Sequence, residues 1–218
     1  MRNQVSAAPD VHTPSRPLLT INLLRAAVGL WFVLVVLFSW TGVLGRLSPY
    51  AIPPIAFGMM FLGASAFWLV PAVRQRVEAF GLRGLTALHI SRALAVPLFF
   101  WYGARGLLPT SFVNHAGWGD LVSAVVALVV VLFWPARAGY WVAHVVGMAD
   151  FMLAFGTAMA HTRAAEHSMQ AVTGLPAAMI PFFFVGVLGA THLMAYSLLL
   201  ASGRGQRGEM QGSSEHAS

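Results

Sequence analysis

Six apolar stretches, each close to the length a helix needs to cross about 30 Å of hydrocarbon, govern what this chain can fold into. They run from about Leu19 to Leu44, Ile52 to Val73, Leu85 to Leu107, Asp120 to Trp134, Tyr140 to Ala160 and Leu175 to Ala201. The fourth is short and needs its flanks to complete a crossing. Inside hydrocarbon a segment must satisfy its own backbone N–H and C=O groups, so each stretch is expected to be an α-helix. The expected fold is therefore all-α, a polytopic six-transmembrane-helix bundle over residues 19–201. Residues 1–18 (Asp10, Thr13, Pro14, Ser15, Pro17) are polar and proline-punctuated, and 202–218 (Gly203, Gly205, Gly208, Gly212, Ser213, Ser214) read as linker, so both ends are expected to be disordered and cytoplasmic. The first stretch is too long for a signal-peptide core and lacks a small-x-small cleavage site, so it is expected to remain as an anchor.

Composition excludes several other classes. Charged residues make up 9% of the chain and hydrophobic ones 58%, against roughly a quarter charged in soluble domains. The net charge of +6 comes from arginines scattered between the apolar stretches. A nucleic-acid surface would gather them in one patch, so no nucleic-acid partner is expected. They sort by side instead. If the N-terminus is inside, Arg2, Arg16, Arg74, Arg76, Arg83, Arg137, Arg204 and Arg207 are cytoplasmic, and only Arg46, Arg105 and Arg163 lie outside. That bias predicts an N-in/C-in topology. Lysine is absent, which rules out a retinal Schiff base, and cysteine is absent, which rules out disulfides, iron–sulfur clusters and thiolate metal sites.

Against this background, five ionisable residues inside the apolar stretches stand out: His89 and Arg92, His144 and Asp150, and His192. Charge in hydrocarbon is costly unless paired, hydrated or ligated, so each is a candidate site residue. At 1.5 Å of rise per residue, His89 and His144 fall roughly 6–9 Å below the inner boundary, with Arg92, His192 and Asp150 about 12–15 Å deep. His89 and Arg92 are three apart and share a helix face. On the fifth helix Ala143, Gly147, Asp150, Ala154 and Ala158 form a small-residue seam of the kind that lets backbones approach. His144 lies beside that seam, toward Met148, Phe151 and Phe155. His192 lies over Gly189, with Tyr196 one turn on. These positions predict a polar pocket among the third, fifth and sixth helices, opening toward the cytoplasm. Arg92 and Asp150 would pair in it as an interhelical clamp or proton relay, and His89, His144, His192 and Arg92 would hold a cofactor.

A second cluster is expected at the outer face. Gly117 and Gly119 suggest a tight or re-entrant turn, Asp120 a helix N-cap with Arg105 as its partner, and His115, His161 and His167 a mouth or weak metal site. Through Arg92, Leu108-Pro109 and Gly117-Trp118-Gly119-Asp120, the middle third resembles a group of small bacterial multi-span membrane proteins that carry no assigned activity. The resemblance implies a bacterial inner-membrane location and links Arg92 with Asp120.

No nucleophile–base spacing, phosphate-cradling loop or His-Glu-x-x-His motif occurs, so a stand-alone hydrolase is not expected. The leading reading is a haem- or quinone-binding redox subunit, with facing imidazoles on a single haem b and Arg92 on a propionate or quinone carbonyl. Two alternatives stand beside it. One is a small proton-coupled transporter, suggested by two three-span halves of opposite topology with Pro97 and Pro181 in similar places. The other is an assembly or anchor subunit acting through other membrane subunits or a second copy of itself.

Overall fold

The computed structural model describes the backbone of residues 16–215 and the side chains of residues 19–201 except Glu166. The disorder expected for residues 1–15 and 216–218 lies outside the described residues. The described chain is all-helical: α1 (Arg16–Trp40), α2 (Ile52–Leu69), α3 (Pro71–Leu88), α4 (Ala95–Ala104), α5 (Thr110–Phe133), α6 (Arg137–Ala164) and α7 (Val185–Glu215). They make six helical rods long and apolar enough to cross a membrane, because α3 and α4 join end to end over Pro71–Ala104. The backbone of residues 202–215, expected to be a disordered tail, continues α7.

Local sequence explains the breaks. Within α3, Gly81 has φ 70° and ψ 173°, a region open essentially only to glycine. It separates a polar first half, where Arg74 and Glu78 pair at 2.8 Å across one turn, from the apolar second half. Further along, Pro97 has no N–H to offer the Ala93 carbonyl, and its ring crowds that oxygen. The turns just ahead of it tighten into a 3-10 helix over His89–Leu94. Residues three apart eclipse one another in that geometry, so His89 and Arg92 stack on a single face. At the start of the last rod Pro181 lies in a π-helical turn, Ile180–Phe184. The Phe182 carbonyl there accepts the Trp31 indole N–H at 2.9 Å and ties α1 to the bundle.

One expected boundary is wrong in a way that matters. The fourth span begins at Thr110, ten residues before Asp120, with Pro109 at its N-cap. Gly117 and Gly119 are therefore helical, with no tight or re-entrant turn, and Asp120 lies well inside α5 as a buried residue rather than capping it. Their missing side chains serve close approach: a Cβ on Gly119 would collide with the Asp150 carboxylate of α6.

The bundle holds a half-open chamber of 330 Å³ with an apolar lining. Its walls come from the start of α2, α4, the first half of α5, the second half of α6 and the π-turn. The outer surface is also apolar, with Leu69, Leu94 and Phe133 each 78–80% exposed.

Candidate functional site

Arg92 is the hub of the site. It is 4% exposed and donates in three directions. Its Nε gives a 2.6 Å hydrogen bond to Asp120 Oδ1, its Nη2 meets Asp150 Oδ2, and its Nη1 gives a 3.1 Å bond to the Gly147 carbonyl. The guanidinium also lies 4.1 Å from the centre of the Phe151 ring. A planar fork with five N–H groups can serve partners on two helices at once in a fixed geometry, whereas a lysine ammonium offers only three donors around one nitrogen. Asp120 on α5 and Asp150 on α6 are held against the 3-10 segment in this way. The expected Arg92–Asp150 pair is present, and Asp120 joins it. The site thus draws on the fourth span as well as the third, fifth and sixth.

On one side of Arg92 lie the three histidines, all essentially buried: His89 at 3%, His144 and His192 at 0%. His144 Nδ1 and His192 Nδ1 are 2.8 Å apart, and His144 Nε2 is 3.1 Å from the Thr86 hydroxyl. His89 Nε2 is 3.1 Å from the Thr191 hydroxyl. The His89 and His192 rings stack with centroids 4.0 Å apart and planes 25° from parallel. Tyr196 closes the group, its hydroxyl donating to the His144 carbonyl at 2.7 Å. Gly147 is required for this packing. A Cβ there would sit 2.6 Å from His192 Cε1 and 3.3 Å from Arg92 Nη1.

The hydroxyls assign the ring protons. Thr86 donates to the Leu82 carbonyl at 2.8 Å and Thr191 to the Leu188 carbonyl at 2.7 Å. A hydroxyl has one proton to give, so each threonine must accept from its histidine. In the neutral form His144 and His89 are then protonated at Nε2. The His144 Nδ1 lone pair accepts from His192 Nδ1–H. Two nitrogens are left over as bare lone pairs, His89 Nδ1 and His192 Nε2, and neither has a hydrogen-bond partner. Asp150 Oδ1 and Ser123 Oγ are also buried without a partner.

On the other side of Arg92 lies the chamber. Arg92 and Asp120 are the charged members of its wall; Phe99, Phe112, Phe155 and Met169 are typical of the rest. On α6 its lining begins at Phe151 and continues toward the C-terminal end, whereas His144 lies toward the N-terminal end. The pocket therefore extends away from the end that the sequence assigned to the cytoplasm. Arg92 divides the two compartments.

Haem does not fit here. Two axial imidazoles must leave space for a macrocycle between them, and the His89 and His192 rings already touch. At the expected outer cluster the Arg105–Asp120 pair is absent. Arg105 stacks on Trp101 at 3.7 Å rather than pairing with Asp120. His161 bonds Ser111 at 2.6 Å, and His115 bonds Thr157 at 3.2 Å. Among the described residues, His89, His144 and His192 are the one group with metal-ligating spacing.

Sequence reasoning missed Thr86 and Thr191, which fix the tautomers, and it placed Asp120, linked with Arg92 by the resemblance alone, at a helix start rather than inside α5. A threonine in an apolar helix carries no signal of its own. The helical position of Asp120 was hidden by neighbouring glycines that resemble a turn.

No curated protein and no solved structure matches the chain. A family pattern does match, across residues 49–200, and that span contains every residue of the site. The chain belongs to the family described as a domain of unknown function, DUF8737.

Proposed function

We propose that this is a multi-pass protein of the bacterial inner membrane, with both termini in the cytoplasm, that binds a lipid-soluble carbonyl compound of the quinone class. The observation that carries the reading is the chamber: apolar along its walls, with a guanidinium and a carboxylate at one end. Its 330 Å³ falls within the range of small-molecule sites, roughly 300–1,000 Å³. An apolar body with one polar head matches that distribution. Arg92 commits three of its five N–H bonds to Asp120, Asp150 and Gly147, which leaves two to donate to a carbonyl oxygen. The aromatic side chains of Phe99, Phe112 and Phe155 offer faces and edges to a planar ring. The membrane setting rests on six span-length helices and on an outer surface where Leu69, Leu94 and Phe133 stand open, an arrangement water would not tolerate.

The test is the quinone content of the protein purified in detergent, extracted into organic solvent and measured by ultraviolet absorbance. Near-stoichiometric quinone is expected. Arg92→Gln and the chamber-filling Phe155→Trp should each lower it at least five-fold. Wild-type protein carrying no more quinone than an unrelated helical membrane protein in the same detergent would end the proposal.

A further inference from the structure

We infer that His89, His144 and His192 form a buried binding site for a transition-metal ion of the imidazole-seeking kind, zinc or copper(I). The three histidines each offer a ring nitrogen, and these ligand atoms lie within 4.8 Å of one another. In a closed site with metal–nitrogen distances of about 2.0–2.1 Å, ligand atoms lie ~3.4 Å apart. The rings need only modest rotation to close that gap.

Two observations favour a metal over a merely packed core. The first is the pair of orphaned lone pairs. His89 Nδ1 and His192 Nε2 are buried, point to no donor and belong to the ring nitrogens that the tautomer assignment leaves unprotonated. Buried polar atoms are nearly always satisfied, so two in adjacent stacked rings call for an occupant. The second is the way the opposite nitrogens are held. Metal-binding histidines typically donate their other N–H to a fixed acceptor, which sets both tautomer and ring orientation. His89 Nε2–H goes to Thr191, itself anchored on Leu188. His192 Nδ1–H goes to His144, whose Nε2–H goes to Thr86, anchored on Leu82. His144 thus positions His192 within the group.

Imidazole donors without thiolate or carboxylate suit zinc and copper and disfavour magnesium or calcium, which take oxygen ligands.

The experiment uses the full chain in detergent, purified through a tag that contains no histidine. The protein is stripped with a chelator and loaded separately with Zn(II) or with Cu(I) under reductant. It is then desalted and analysed for metal by mass spectrometry, with thermal unfolding followed in parallel. About one equivalent of one ion, with a higher unfolding temperature, is expected; which ion is retained identifies the metal. The double variant His89→Ala, His192→Ala should retain less than a tenth of an equivalent. His144→Gln should weaken binding 10- to 100-fold, and His115→Ala with His161→Ala should leave it unchanged. If the double variant does not fold, the stripped and loaded wild type still decides by its metal content and unfolding temperature. Less than a tenth of an equivalent of either ion in folded wild type would overturn the inference. So would metal that persists in the folded double variant.

Discussion

Around Arg92 two carboxylates share one guanidinium, and that ratio sets how each substitution should behave. Removing the arginine strands two acids in the interior, at a cost of about 3–5 kcal/mol. Removing one acid leaves a balanced Arg92–Asp120 pair. Arg92→Gln is therefore expected to lower the unfolding temperature sharply in detergent, whereas Asp150→Asn should change stability by only about 1 kcal/mol. Thermal unfolding followed by circular dichroism checks the ranking, and an equal loss in both variants would contradict it. Gly147→Ala belongs at the same scale. The added methyl meets the His192 ring at 2.6 Å, so a loss of about 1–3 kcal/mol is expected from overpacking. The buried positions of Arg92, Asp150 and the histidines are legible in the sequence because charge inside an apolar run has few explanations. Thr86 and Thr191 are not, since their roles depend on a partner from another helix.

Elements carry strain where proline and glycine interrupt them. At Gly81 a Cβ would meet nothing within 4 Å, so Gly81→Ala isolates the backbone cost of φ 70° and ψ 173°. A loss of about 1–3 kcal/mol is expected, again read from thermal unfolding. Pro97 acts differently, because the 3-10 turns ahead of it bring His89 and Arg92 into line. Pro97→Ala restores the missing donor and lets those turns relax toward α-helix, where a spacing of three is offset by about 60°. Quinone content should fall at least three-fold while the unfolding temperature holds or rises; unchanged content would show that the tight turns are not needed. Helix existence is legible from apolar length alone. The start of α5 is not, because the Gly117-Trp118-Gly119-Asp120 sequence carries turn residues that tertiary packing uses for close approach to α6.

Across the whole molecule, the arginine bias is a statement about sidedness. Alkaline phosphatase fused at either terminus should be inactive and a fluorescent protein fused there should fold, as cytoplasmic ends require. The opposite pattern at both ends would invert the topology. Six span-length helices and an all-helical bundle follow from the sequence because apolar runs of that length permit little else. The direction of the chamber does not follow, since it depends on which half of each helix carries small or bulky side chains against its neighbours. Arg92 lines that chamber and also lies over Gly147 beside His192. Whatever fills the chamber and whatever the imidazoles hold must therefore negotiate with one guanidinium. A ligand that pulls Arg92 toward the chamber alters the affinity of the histidine cluster, and by thermodynamic linkage the histidine cluster's occupant changes the ligand's affinity by the same factor.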